Sequence, residues 1–383
     1  MIKRRILVAL LTVCLTITSC ISFVPQVWAE TAEPGIESDQ PAVPELPGDS
    51  DTPEPDQPVE PEDPGIPEPD VPDQPITNSW DENGFYHGAD GEIVKNTYLI
   101  VDNKLYKFDK AGASKLYTGV YKNYYYNKGI KVTKHKNAVK KMSNGKFYCF
   151  NKNGTVFRGT GWKRFNGKRY YVKKGTVYTG WHYIGNYKYY FRKDNARLCQ
   201  DLIALQGSKW KKKELFIKVN RTKNCVTIYA KDGNKGYTIP VKALTCSVGK
   251  KSSPTITGTY TLKSGSGLTY RWHTLGGPGI SPYCYGQYCV RIYKSWLFHS
   301  VTYDEPDNMT LQTYTYNQLG TAASHGCVRL QVKDAKLIYD IVKNRNTKVK
   351  IYDSNYTGPF DKPVISKIPK GQKYDPTDLS VKK

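Results

Sequence analysis

Ser324-His325-Gly326-Cys327-Val328-Arg329 is the stretch on which the reading of this chain turns. A thiol attacks only as its thiolate, so a nucleophilic cysteine needs a base or hydrogen-bond donors close by. Gly326 permits a tight turn ahead of Cys327, and its small neighbours leave the sulfur approachable. Of six histidines, His325 lies two residues before the thiol, while His299 ends the apolar run Trp296-Leu297-Phe298-His299-Ser300. A strand terminus is a rigid platform for a base. An isolated Cys-His pair is more commonly a buried structural cysteine beside a loop histidine, so the surroundings must decide.

The surroundings read as β-structure from position 209 onward. Leu215-Phe216-Ile217-Lys218-Val219, Cys225-Val226-Thr227-Ile228-Tyr229, Tyr237-Thr238-Ile239-Pro240-Val241 and Val290-Arg291-Ile292-Tyr293 alternate and are β-branched, as strands on a core are. One helix is expected, with Asp334 as N-cap and Ala335, Ile338, Ile341 and Val342 along one face. Val349-Lys350-Ile351-Tyr352 closes a mainly-β domain over 209–353, and 354–383 follows as a polar, proline-containing tail.

Upstream, from 79 to 205, aromatic clusters followed by glycine recur about every twenty residues. Tyr124-Tyr125-Tyr126 with Gly129, Tyr170-Tyr171 with Gly175 and Tyr189-Tyr190-Phe191 with Asp194-Asn195 are examples, and Gly161-Trp162 and Gly180-Trp181 open the clearest units. Each unit reads as a short hairpin around a turn such as Asn166-Gly167. One hairpin is not stable alone, so the units are expected to stack into a solenoid.

The N-terminus has another texture. Residues 1–29 run from the basic Lys3-Arg4-Arg5 through an apolar stretch to Val27-Trp28-Ala29, the layout of a secretory signal peptide. Ile17-Thr18-Ser19-Cys20 also resembles a lipobox, so lipidation at Cys20 is a second possible route to the membrane. Residues 30–78 form an acidic, proline-rich segment that has little apolar surface to bury and reads as a disordered spacer.

The formal charge of +23 conceals an asymmetry. Fifteen of the 34 acidic residues fall in 30–77 and three of the 57 basic residues in the signal, so everything after 77 carries 54 bases against 19 acids. Such an excess points to a polyanion, and export makes that a wall polymer, teichoic acid or glycan, rather than nucleic acid. Seven of nine cysteines lie beyond the signal; an odd number leaves at least one free thiol.

With its upstream His299-Ser300, Ser324-His325-Gly326-Cys327-Val328-Arg329 resembles the signature of the L,D-transpeptidase (YkuD-like) catalytic domain. Thr245-Cys246-Ser247-Val248-Gly249 and Pro254-Thr255-Ile256-Thr257-Gly258-Thr259-Tyr260 resemble two further family segments in the family's order, with Ile256 where proline is common. The 24 residues between His299 and Ser324 exceed the usual spacing, the excess including the polar run Asp304-Glu305-Pro306-Asp307-Asn308. The resemblance implies a β-sandwich-like domain with one or two short helices and the cysteine under a mobile flap.

It also implies roles. Cys327 would be the nucleophile and His299 the base that forms a thiolate-imidazolium pair with it. Ser300 would orient the imidazole through its backbone. His325 and Ser324 would shape the cysteine loop, Ser324 also facing substrate. Gly326 and Cys327 would offer N–H donors to an oxyanion, and Arg329 would bind a carboxylate of the peptidoglycan stem peptide. The expected reaction releases the terminal D-Ala of a tetrapeptide stem, leaves a thioester, and passes the acyl group to an amine as a 3→3 cross-link; water as acceptor would give an L,D-carboxypeptidase. It requires no cofactor and no metal, and no HExxH or CxxC pattern is present. The aromatic units resemble cell-wall-binding repeats of choline- or glucan-binding type from Gram-positive surface proteins, which makes Trp162, Trp181, Tyr170, Tyr171, Tyr189 and Tyr190 candidate wall contacts. The chain is therefore expected to be a secreted, wall-associated enzyme, a wall-attachment protein without activity being the alternative.

Overall fold

Alternation in Leu215–Asn220 (β1) buries Leu215, Ile217 and Val219 and turns Phe216 and Lys218 to the opposite face, as a strand covering a core on one side must. The structure, a computed structural model, describes residues 76–381 apart from 266 and 277–282. The signal segment, Cys20 and nearly all of the acidic spacer lie outside the described residues. No helix among the described residues is long and apolar enough to cross a membrane.

After β1 come β2 (Cys225–Ala230), β3 (Ile239–Thr245), β4 (Val248–Gly249), β5 (Gly258–Leu262), β6 (Thr269–Leu275), β7 (Cys284–Tyr293), β8 (Trp296–Ser300), β9 (Thr302–Tyr303), β10 (Ala322–Ser324), β11 (Val328–Leu330) and β12 (Thr347–Tyr352). Three short helices accompany them: α1 (Leu202–Gln206), α2 (Thr313–Asn317) and α3 (Val332–Lys343). The back sheet has the order β3-β2-β1-β12-β5, with β1 and β12 parallel. The front sheet has the order β6-β7-β8-β11, with β8 and β11 parallel, and β4 pairs with β10 beside it. Ile217, Val219 and Ile228 from the back meet Val290, Phe298 and Val328 from the front and Ala335, Ile338 and Val342 from α3 in one core. Burying each of the valine, isoleucine and phenylalanine side chains among them is worth about 1.5–3 kcal/mol. All seven cysteines of the described residues are free thiols.

The helix begins earlier than its sequence suggests. Its N-cap is Gln331, whose side chain makes no capping bond, and Asp334 is buried on the helix itself. The cap comes from far along the chain: Asp375 Oδ2 accepts from the Val332 N–H at 2.8 Å, and Thr377 Oγ1 accepts from the Lys333 N–H at 3.2 Å. A distant carboxylate substitutes for the local N-cap, which no sequence pattern around 334 could reveal.

That cap belongs to the 354–383 segment, which is laid over the domain. Phe360 is buried with Tyr189, Phe191, Cys225 and Ala243, and Ile365 and Ile368 pack on a cluster of Val301, Tyr303, Leu311, Tyr316 and Val332. The extra residues between His299 and Ser324 receive it: the Leu311 N–H donates to Lys373 O at 2.8 Å and Asn308 Nδ2 to Ser380 Oγ at 3.1 Å. The long spacer and the tail thus complete each other's packing.

Upstream, small antiparallel sheets follow one another, including Tyr98–Val101 with Lys104–Phe108, Tyr124–Asn127 with Ile130–Val132, and Gly161–Phe165 with Lys168–Lys173. Asn166 and Gly167 both take positive φ, 46° and 70°, the geometry of a two-residue hairpin turn. Bonds such as Leu105 N–H to Gly129 O and Val156 N–H to Asn123 O join successive units. The candidate wall aromatics divide. Tyr170 and Tyr189 are core, and Trp162 is wedged between Tyr171 at 5.3 Å, Tyr189 at 5.2 Å and the Arg169 guanidinium at 4.3 Å. Tyr171 stacks on Tyr178 at 5.3 Å and Tyr190 packs toward the domain core, leaving Trp181, 38% exposed, as the open ring of the six. The small sheets need most of these rings to hold themselves together.

Candidate active site

Strand parity assembles the site. In the parallel pair of β8 and β11, Phe298 lies beside Val328 and His299 beside Arg329. Phe298 and Val328 point into the core. The period of two then sends Leu297, His299, Cys327 and Arg329 to the other face, where Leu297, His299, Cys327 and Arg329 line one cleft of about 310 Å³ with His273 and Cys284. A second cleft of about 530 Å³ opens on the other side of Cys327, lined by Ser253, Thr255, Trp296 and His325. Cys327 and His325 border both.

His299 is buried and its Nδ1–H donates to Ser300 O, which leaves Nε2 as the nitrogen able to take a proton. Ser300 is fixed in turn: its Oγ donates to Val301 O at 2.7 Å and accepts from the Gln287 N–H at 2.9 Å. Gln287 Nε2 donates to Asp378 Oδ2 at 3.0 Å, and Gln287 Oε1 accepts from Arg271 at 2.6 Å. Gly286 leaves space for the imidazole, since a Cβ there would lie 3.0 Å from His299 Nδ1 and 2.9 Å from Leu275 Cδ1. Neither Gly286 nor Gln287 nor Asp378 is singled out by the sequence. A glycine within an otherwise β-like run is the signal that could have flagged the first.

The cysteine loop is closed by Ser324. Its Oγ donates to Cys327 O at 2.6 Å and accepts from the Gly326 N–H at 3.1 Å. Ser324 is therefore a buried brace and does not face substrate, and the Gly326 N–H is already engaged, contrary to both expectations. Among the described residues the Cys327 N–H has no backbone acceptor in the loop, which leaves it able to donate into the cleft. Gly326 has φ 118° and sits against the Trp296 indole, where a Cβ would come within 2.9 Å of Nε1. Thr255 Oγ1 accepts from the Gly249 N–H at 2.8 Å and donates to Gly326 O at 2.6 Å, tying the Ser247-Val248-Gly249 and Thr255 segments to the loop. Gly249 admits no side chain: a Cβ would meet Ser253 O at 2.2 Å. The spaced segments read in the sequence are thus one bonded structure. His325 is exposed on the rim and its Nε2 accepts from Lys250 Nζ at 3.0 Å.

Electrostatics set the resting state. Burial, followed by the nearby Arg329 charge, pushes the His299 imidazole down to about 3. Burial also raises the Cys327 thiol, while the Leu297 amide and Arg329 pull it the other way. Desolvation thus disfavours both charged partners, thiolate and imidazolium, in the unliganded site. Arg329 has no carboxylate in salt-bridge range among the described residues, and its Nε is buried without an acceptor. A half-buried guanidinium facing a cleft without a counterion is able to pair with an anionic group that enters it. His273, stacked on Tyr270 at 4.3 Å, lines the same cleft, as does Cys284.

The family model described as the L,D-transpeptidase catalytic domain (YkuD) matches residues 214–351. Residues 214–351 are an L,D-transpeptidase catalytic domain. Three solved structures are similar to part of this chain. An L,D-transpeptidase from Mycobacterium smegmatis is 19% identical, with 37% of this chain and 59% of that one covered and a TM-score of 0.29. An L,D-transpeptidase from Mycobacterium tuberculosis is 17% identical, with 37% and 58% covered and a TM-score of 0.28. A fused Zn-dependent amidase/peptidase/peptidoglycan-binding domain-containing protein from Clostridium acetobutylicum is 26% identical, with 36% and 52% covered and a TM-score of 0.25. This chain thus spans less than two thirds of each of them. No curated protein matches the sequence.

Proposed function

We propose that the protein is a secreted, wall-associated L,D-transpeptidase that cross-links peptidoglycan stems 3→3 through a thioester on Cys327. The observation that carries this reading is the placement of Cys327, His299 and Arg329 on one face of two parallel strands, with a cleft on each side of the sulfur. Arg329 takes a carboxylate of the donor stem. His299 Nε2 accepts the thiol proton as the sulfur attacks the carbonyl preceding the terminal D-Ala, and the Cys327 N–H receives the oxyanion. Collapse of the intermediate expels D-Ala, whose nitrogen takes the proton from His299, and leaves the thioester. An amine of a second stem enters from the other cleft, loses its proton to His299 and forms the amide, and the sulfur is released as thiol. With water in the amine's place the product is a shortened stem.

The signal-like N-terminus supports export, and the excess of 54 bases over 19 acids beyond residue 77, together with the aromatic repeats, supports retention at an anionic wall. Contact with the membrane is through the signal segment, or through a lipid on Cys20 if that site is used. Purified protein incubated with tetrapeptide muropeptides should yield a covalent adduct and cross-linked dimers by mass spectrometry, and Cys327→Ala should yield neither. Dimers formed equally by Cys327→Ala would refute the assignment; free tripeptide as the sole product would make the enzyme a carboxypeptidase. Removal of 79–205 should abolish sedimentation with whole walls, and undiminished sedimentation would refute attachment through the repeats.

A further inference from the structure

A second site lies on the opposite side of the domain from Cys327's face of the front sheet. The outer face of the back sheet carries Lys218 on β1 directly beside Lys350 on the parallel strand β12. Two ammonium groups held side by side repel each other unless an anion lies between them. Among the described residues neither lysine has a carboxylate in salt-bridge range. Lys218 is half-buried and cannot simply swing away; its Nζ sits 4.7 Å over the Tyr229 ring and 5.5 Å over Phe216. Burial and the neighbouring Lys350 both push its ammonium below the ordinary lysine range, the mark of a cation lacking its counterion.

The two lysines border a cleft of about 190 Å³ whose other walls include four tyrosines, from the last repeat, β2, β12 and the tail. Tyr187 comes from the last repeat and stacks on Tyr229 at 5.8 Å; Tyr352 ends β12, and Tyr356 extends from the tail, 57% exposed. Gly358 lets the tail pass close by, since a Cβ there would lie 3.2 Å from Thr227 Oγ1. Phenol rings offer apolar faces to the C–H surface of a polyol or sugar and hydroxyls to its oxygens. No acidic side chain lines the cleft. Lys348 lies two residues before Lys350 on the same strand face, about 6.6 Å along it, so the positive charge continues as a row. A row of cations beside aromatic rings matches a linear polymer that carries a charge in every unit better than it matches an isolated carboxylate.

We propose that this cleft, formed where the last repeat and the tail meet the back sheet, binds a phosphodiester-linked polyol chain, with Lys218 and Lys350 on one phosphate and Tyr187, Tyr229, Tyr352 and Tyr356 around the adjoining polyol. The assignment rests on the wall location proposed above and not on the transfer reaction, and it names a polymer site separate from the repeats' exposed rings. Titration calorimetry of the full-length secreted protein with soluble glycerol-phosphate oligomers at fixed moderate salt tests it. The doubly substituted Lys218→Gln, Lys350→Gln protein should bind at least about tenfold more weakly, equivalent to about 1.4 kcal/mol, while melting as the parent does. The pair Lys336→Gln, Lys343→Gln on α3, which changes net charge equally, should bind as the parent does. A conservative Lys218→Arg, Lys350→Arg variant should retain binding and covers the case in which the glutamine variant fails to fold. Equal binding by the glutamine variant, equal loss in the α3 variant, or stronger binding of phosphate-free glycan oligomers would each overturn the proposal. Cross-linking of muropeptides by the parent, read separately, reports on the transferase assignment alone.

Discussion

Asp378 accepts a hydrogen bond from Gln287 at 3.0 Å, and the Gln287 backbone N–H bonds the hydroxyl of Ser300, whose carbonyl holds the His299 imidazole. The tail, nearly eighty residues along the chain from the histidine, therefore fixes the imidazole. Asp378→Ala should leave the buried Gln287 amide without its acceptor, at a cost of about 1–3 kcal/mol, and should lower the rate of thioester formation several-fold with little change in KM. Asp378→Asn, able to accept the same bond, should recover most of the rate. Thermal melts and stopped acylation assays with mass detection separate the two effects.

Arg329 should govern both affinity and the acid limb of the reaction. Its charge is the second cause, after burial, of the low His299 pKa, and it also pulls the Cys327 thiol down. Acylation by the parent needs neutral imidazole and should hold its rate from neutral pH to well below 6.5, falling only toward pH 3. In Arg329→Gln the imidazole rises, so the acid limb should move to higher pH, and KM for a tetrapeptide donor should rise by about tenfold or more, as loss of a charge-assisted bidentate contact implies. A pH-rate profile of the two proteins checks this.

Gly286→Ala places a methyl group 3.0 Å from His299 Nδ1 and 2.9 Å from Leu275. The backbone there accepts any residue, so the cost is steric, about 1–3 kcal/mol of stability. The displaced imidazole should lower kcat at least tenfold while substrate affinity stays nearly unchanged. Steady-state kinetics beside a denaturant melt will show it.

Stability against pH should carry two opposed signatures. His299 titrates near 3 when folded against 6.5 unfolded, so the unfolded chain binds the extra proton and stability is lost as pH falls from 6.5 toward 3. Asp334, chiefly through burial, is raised to about 6 from 3.8, so its contribution is present at low pH and lost as pH rises through 6. His299→Gln should flatten the first slope and Asp334→Asn the second. Melting temperatures of the three proteins between pH 4 and 7 read both.

The parts of this molecule legible in the sequence are those specified locally. Period-two patterning marks β1 and β2, and Ser324-His325-Gly326-Cys327 with His299-Ser300 marks the cysteine and histidine that share a cleft, because each needs its neighbours in the chain. What escaped is long-range. Asp375 caps a helix that begins at Val332, so the expected cap at Asp334 had no competitor in view. Ser324 is consumed by bonds to its own loop, and Tyr170 and Tyr189 by packing, though composition alone gives no way to tell a ligand-facing ring or hydroxyl from an internal one. The electrostatics of the thiol and the imidazole were hidden for the same reason: desolvation depends on the fold.

Tyr187 lies on Tyr229, Tyr183 and Lys188 both bond Asp232, and Arg164 reaches Asp361 in the tail at 2.9 Å. These ties hold the last repeat and the unit before it against the back sheet, the turn after β2 and the tail at separate places. A polymer gripped by that repeat would consequently sit at a set stand-off from the sulfur, and the molecule would act as a ruler: the spacing between anchor and new cross-link is then written into the junction, and lengthening the acidic spacer of 30–78 would leave it unchanged.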